Sequence, residues 1–282
     1  RDAINKGKVK GPRLQCSGPL ILPPYNGIGT GDNMCLTYGN KEDLTAKVRY
    51  NELKGADFVK LYGSGSMIMP GSNPHLCLLT EDEIKAAVEF ANMRDTYVAV
   101  HCHGTKACDQ MFECGVRTIE HASFISEETL QKMDGRTDVG VVLTQAFFSD
   151  ELLTADGYDE ESIKRVLPVR EKVHECVKKV TKYDVLVGMG TDYYLTSYKA
   201  EPRMELKLRK RDLGFSDVEI LKQATINNAK LMKWDDRVGT VKVGKYADLI
   251  TVNGDPSEDI TRLYELPEFI LKGGDIIKNE LK

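Results

Sequence analysis

Apolar residues in this chain fall into short runs separated by longer amphipathic stretches. Six runs read as buried strands: residues 12–17 (PRLQCS), 57–62, 97–101, 117–121, 139–147 (VGVVLTQAF) and 185–190. The segments between them read as helices. Residues 1–7 resemble a helix end closed by Gly7, and 42–54 a charged helix stopped by Gly55. Thr80 with Glu83 is a capping box that opens a helix over 81–94. Gly104 opens another that ends near Gly115, and Ser126 caps a short one. Helices are predicted over 159–181 and about 201–210, and a second capping box, Ser216 with Glu219, opens one to about Met232. Strand–helix repeated in this way demands a parallel sheet with right-handed crossovers. Two long loops, 18–40, rich in Gly, Pro and Asn, and 63–79, rich in Gly and Pro, are long enough to belong to a site or lid, and a further loop runs over 148–158. Beyond Met232 the pattern changes to strands with Gly turns: GTVKVGKYADLITVNG, then a hairpin in EFILKGGDIIK.

The expected fold class is therefore α/β, a (β/α)8 TIM-type barrel with a small C-terminal β-sandwich portion. Its barrel part spans 1–232 and its small β part 233–282. Six strands do not close an eight-stranded barrel, and an open one would expose two sheet edges. Strands three to eight are thus expected here, with the first strands on a missing N-terminal segment or a companion chain. Arg1 stands where a helix is already under way, which also suggests a fragment or a processed chain.

Composition narrows the class. At 282 residues the chain can bury a large core and a small one. Its net charge of −4, without a basic run, argues against nucleic-acid binding. No stretch approaches the roughly 18–20 apolar residues of a membrane span, and no signal-peptide pattern is present. The seven cysteines are odd in number and form no CxxC pair, which argues against a disulfide framework and for a reducing, cytoplasmic setting.

Candidate chemistry sits at the carboxyl ends of the strands, where a β/α barrel builds its active site. Lys60, His101 with His103, His121 and Asp192 all end apolar runs. His101 and His103 are two apart, so both can face one side of an extended strand. A single histidine there would read as a satisfied core or surface residue. Three within residues 101–121, with an aspartate at a fourth strand end, read as a metal site. Lys60 leaves three readings: a rim lysine, a partner for Asp192, or a carbamate that bridges two cations. Asp192 is either a helix cap or a ligand that also takes a proton from an activated water.

The segments RDAINKGKVKGPRLQCSG, GADFVKLYGSGSMIMPGS, VAVHCHGTKACDQMFECGVRTIEHAS, VGMGTD and ATINNAKLMKWDDRVGTVKVGKYADLITVNGDPSEDI resemble the amidohydrolase superfamily. They are most similar to its imidazolonepropionase-like branch, which includes Xaa-Pro dipeptidases, metal-dependent carboxypeptidases and ochratoxinase. The resemblance implies a carbamylated bridging Lys60, metal ligands His101 and His121, and Asp192 as ligand and general base. It gives His103 a role in polarising the substrate carbonyl or holding the substrate. It also implies two divalent ions, zinc, activating water to cleave an amide bond of a dipeptide or N-acyl amino acid, in a homo-oligomer. The branch's His-x-His pair of the first strand is absent from this sequence. That departure supports one alternative, a non-catalytic or incomplete amidohydrolase-like fragment; a second, a deaminase or lactonase of the same superfamily, is one that Lys60 argues against, since such deaminases hold one metal without a lysine. Loops 18–40, 63–79 and 148–158, with Tyr193 and Tyr194, are expected to shape the pocket, and His75 and Arg203 lie in candidate loops.

Overall fold

A computed structural model describes residues 1–25, 34–153, 160–192 and 203–281. The chain divides into two compact units, Arg1–Thr129 and Leu130–Lys282.

The first unit holds five parallel strands: β1 (Leu20–Leu22), β2 (Cys35–Thr37), β3 (Val59–Tyr62), β4 (Val98–Cys102) and β5 (Thr118–His121). Their spatial order is β2-β1-β3-β4-β5. Here the sequence reading is corrected. Residues 12–17 form no strand, and the first strand lies at Leu20–Leu22, inside the expected loop. Burial decides it: Ile21 and Leu22 are fully buried, whereas the residues from Pro12 to Ser17 are half-buried or exposed. Pro19 and Pro23 bracket the strand, which is why the segment looked like a loop.

Three helices cover this sheet, Lys41–Leu53, Glu81–Met93 and Thr105–Glu113. Asn40 caps the first through Asp43 N, and the predicted capping box of Thr80 and Glu83 forms in full. Ile84, Ala87, Phe90 and Ala91 make the buried stripe of the second helix, at the spacing an amphipathic helix requires. All five residues of β4 are buried, as expected of a parallel strand covered on both faces.

In the second unit β6 (Gly140–Leu143) and β7 (Leu186–Met189) pair in parallel, Gly140 opposite Leu186 and Leu143 opposite Met189. The helix expected over 159–181 is a broken one: Glu160–Val166, a tight turn at Leu167–Val169, then Arg170–Lys178. Pro168 accounts for the break, since it lacks the N–H that a continuous helix needs. The helix Met204–Leu208 continues through a wider π turn to Leu213 and stops at Gly214, whose φ is +75°. Ser216 and Glu219 form their predicted capping box. The C-terminal hairpin forms as read: β9 (Phe269–Lys272), Gly273 and Gly274, then β10 (Asp275–Asn279). With β8 (Leu249–Thr251) it makes an antiparallel sheet in the order β10-β9-β8. Of the run 239–254, only those three residues of β8 are strand. Left-handed turns at Gly239, Gly244 and Gly254 break up the rest.

Candidate metal centre

Three imidazoles meet at the carboxyl ends of β4 and β5. His101 lies in β4, His103 just beyond it, and His121 is the last residue of β5. One ligand nitrogen from each lies within 4.8 Å of the others. Ring centroids are 4.6 Å apart for His101–His103 and 4.7 Å for each of the other two pairs. All three residues are buried.

The pairing of the strands does not by itself produce this meeting. His101 is in register with Glu120, and His121 with Cys102. Strict alternation would send His121 to the face opposite Glu120. Instead the chain turns left-handed there, with φ of +71° at His121 and +49° at Ala122. That turn breaks the alternation and brings the His121 ring beside His101. Such conformations cost about 1–3 kcal/mol each and persist where the surroundings enforce them. Ala122 N donates to Cys102 O and Phe124 N to His103 O, which ties the turn back to β4.

His101 and His103 each have a support. Tyr62, in register with His101 on β3, stacks on it at a centroid distance of 3.8 Å. A backbone hydrogen bond to Gly65 holds one His101 nitrogen, and the other, Nε2, is buried with no hydrogen-bond partner among the described residues. His103 Nδ1 lies 2.8 Å from Ser123 Oγ, and His103 N donates to Ser64 Oγ at 2.9 Å. A histidine bonded through one nitrogen, with the other free toward its neighbours, is arranged as metal ligands are. Sequence reading missed Tyr62, Ser64, Gly65 and Ser123. The signal was nonetheless there: Tyr62 shares the Lys60 face of β3, and Ser123 follows His121 by two residues.

The electrostatics favour neutral rings. Burial depresses the His101 and His121 imidazolium forms far below the ordinary histidine range, with repulsion from His103 and Lys60 adding to it. His103 is brought down to about 3, by burial and then by His75. Neutral imidazoles keep a lone pair available, which is the form that binds a cation. The unpaired His101 Nε2 beside two more neutral nitrogens fits a divalent ion of zinc-like softness.

Lys60 sits half-buried in β3, in register with Ala99, close enough for its charge to act on His101 and His121. Four of the five expected site residues, Lys60, His101, His103 and His121, thus belong to the first unit. Asp192 is in the second. It is exposed, follows β7 by three residues, and takes φ of +52°, a conformation aspartate tolerates better than most residues. Tyr193 and Tyr194 lie outside the described residues, as do parts of loops 18–40 and 148–158. His75 is exposed, its ring 4.7 Å from that of Phe124, and Arg203 precedes the helix Met204–Leu208. All seven cysteines are free thiols. Among the described residues no helix is long and apolar enough to cross a membrane.

Known proteins are similar to this chain along most of its length. The chain is 24% identical to ochratoxinase of Aspergillus niger over 304 aligned positions, covering 98% of this chain and 62% of that protein. It is 26% identical to a probable imidazolonepropionase of Nematostella vectensis over 196 positions, 67% of this chain and 39% of that one. The chain therefore spans less than two thirds of the length of these curated relatives. Among solved structures, a prolidase complexed with N-methylphosphonate-L-proline superposes with a TM-score of 0.88 at 27% identity, over 99% of this chain and 72% of that one. A Xaa-Pro dipeptidase with methionine in its active site gives 0.85 at 26% identity, over 99% and 71%. The fold class is accordingly α/β of the TIM-barrel type, with a small antiparallel sheet at the C-terminus. The amidohydrolase family model matches residues 2–278, and with parallel β/α strands carrying buried histidines at their carboxyl ends, the chain belongs to the amidohydrolase family.

Proposed function

We propose that this chain serves metal-dependent hydrolysis of an amide bond in a dipeptide or N-acyl amino acid. The observation that carries the reading is the trio of neutral, buried imidazoles with an unpaired His101 Nε2. Its setting supports it, since the similar proteins include an ochratoxinase, a prolidase and a Xaa-Pro dipeptidase. His101 and His121 would hold a divalent ion, zinc by the softness of the donors. Bound there, such an ion supplies Lewis acidity and lowers the pKa of water toward 7.

The remaining steps fall to the chain's own groups. His103, its Nδ1 engaged by Ser123, directs its other nitrogen at the substrate carbonyl. Asp192 takes the proton of the attacking water and returns it to the leaving nitrogen, so one carboxylate serves as base and then as acid. Lys60 as an ammonium repels the His101 and His121 positions and opposes a cation there. Carbamylation by carbon dioxide reverses that sign and converts it into an anionic ligand, which makes room for a second ion.

A one-ion form of the same reading is favoured by His103, whose nitrogen lies in the same 4.8 Å set as the two ligands. Metal content separates the two forms. Two ions per active chain, with dependence on bicarbonate and on Lys60, support the bridged form; one ion, unaffected by Lys60→Met, supports the three-imidazole form. Hydrolysis of a panel of dipeptides and N-acyl amino acids by the native, full-length protein tests the activity. His101→Ala should abolish both bound metal and turnover, and full activity in that variant would refute the assignment.

A further inference from the structure

The second unit contains a buried ion pair that the chemistry above does not use. Glu205 and Arg209 are both completely buried, with Arg209 Nε donating to Glu205 Oε1 at 2.9 Å. Two charges taken out of water cost several kcal/mol each before they attract one another, and apolar replacements of such pairs are often neutral or stabilising. Stability alone therefore gives a weak reason for the pair. Its hydrogen bonds suggest another.

Glu205 accepts the amides at the exit of β6, Gln145 N at 3.0 Å and Ala146 N at 2.8 Å. Arg209 donates through Nη2 to Leu143 O, the last carbonyl of β6, and through Nη1 to Gln223 Oε1. The Leu143 carbonyl also receives Gly190 N at 3.1 Å. Gly190 follows β7 directly and precedes Asp192 by two residues. On the far edge of β7, Asn228 closes a matching pair of bonds. Met189 N donates to its Oδ1 and its Nδ2 donates to Met189 O, both at 2.9 Å. The pair thus holds the backbone at the end of β6 and, through the Leu143 carbonyl that Gly190 N also uses, meets the end of β7, while Gln223 takes the remaining guanidinium bond. One of those ends carries Gln145, whose Oε1 is buried without a partner, and the other leads to Asp192.

We propose that Glu205 and Arg209 are positioning residues for proton transfer: the pair fixes the carboxyl ends of β6 and β7, and through Gly190 it sets the placement of Asp192. This rests on the assignment of Asp192 as proton carrier made above. A geometric role of this kind is felt in turnover, because a displacement of about 1 Å at a reacting group costs roughly 100-fold. It is not felt in metal retention, since the imidazoles belong to the other unit.

Two variants of the full-length protein test it. Arg209→Lys keeps the charge pair but cannot reach Leu143 O and Gln223 together. The double variant Glu205→Met with Arg209→Leu fills the space with apolar groups and remains informative where the single variant unfolds. The expected result in either is a fall in kcat of roughly 100-fold with KM within about threefold, unchanged metal content, and a displaced acid limb of the kcat/KM profile. Hydrogen exchange supplies a readout independent of turnover: the amides of Gln145, Ala146 and Gly190 should exchange at least about tenfold faster than in the parent. Native kcat and an unmoved pH profile in the apolar variant would overturn the proposal, as would unchanged exchange at those amides. A native protein that hydrolyses no amide would remove the function proposed above, and exchange at the three amides would then decide the clamp on its own.

Discussion

At the scale of single residues, the centre is defined by what holds each imidazole as much as by the imidazoles themselves. Ser123 is the clearest case, because its hydroxyl is the partner of His103 Nδ1. Ser123→Ala should weaken metal binding by about 10–100-fold if His103 is a ligand, the range seen for lost supporting hydrogen bonds. Competition titration with a chromophoric chelator measures it, and an unchanged affinity would return His103 to the substrate side. The depressed basicity of the three rings has a thermodynamic consequence in metal-free protein. Their folded pKa values lie below the ordinary 6.5. The unfolded chain therefore binds more protons once the pH falls below that value. Above it the rings cost nothing; below it, stability falls by up to about 1.4 kcal/mol per pH unit for each ring. For His103 the loss continues down to about pH 3. Urea unfolding between pH 7 and pH 5 should show this slope, and His103→Gln should reduce it by one proton's worth.

Among the elements, helix caps and the C-terminal hairpin were the features most open to reading from sequence. Both capping boxes form, and so does the hairpin around Gly273 and Gly274. The first strand was misplaced because Leu20–Leu22, only three residues between prolines, offers too short a run for periodicity to speak. Helix 159–181 was read as continuous although Pro168 marks its break. Close packing between β6 and β7 yields a sharp prediction. A Cβ on Gly140 would sit 2.1 Å from Leu186 O, a backbone atom that cannot move aside cheaply. Gly140→Ala should destabilise by about 1–3 kcal/mol or more through overpacking, seen as a lowered thermal midpoint. An unchanged midpoint would mean that the two strands stand farther apart than described.

For the whole molecule, metal binding and folding are linked. A ligand at 1,000 times its Kd adds about 4 kcal/mol to the stability of the state that binds it. Zinc should raise the melting temperature and a chelator lower it. Hydrogen exchange after zinc addition should slow in residues 98–125, which hold the three histidines. Slowing that extends to residues 186–192 would support Asp192 as sharing the ion; slowing confined to the first unit would argue against it. The small C-terminal sheet exposes Ile250, Ile276 and Ile277 to water. Ile276→Lys should accordingly raise the solubility of these 282 residues, measured as the concentration at which light scattering begins.

The longer buried strands, the two capping boxes, the C-terminal hairpin and the candidate ligand types were legible from local pattern, because hydrophobic period and capping chemistry act over a few neighbours along the chain. That His101, His103 and His121 would meet was also legible, since parallel β/α topology gathers strand ends wherever it occurs. Which way each side chain turns was not. His121 reaches its partners through a left-handed residue that contradicts strand alternation. His101 is left with an unpaired nitrogen by its position against Tyr62 and Gly65, and Glu205 finds its amides 60 residues away. These depend on contacts between segments distant in sequence, and only the packed chain brings such segments within reach of one another.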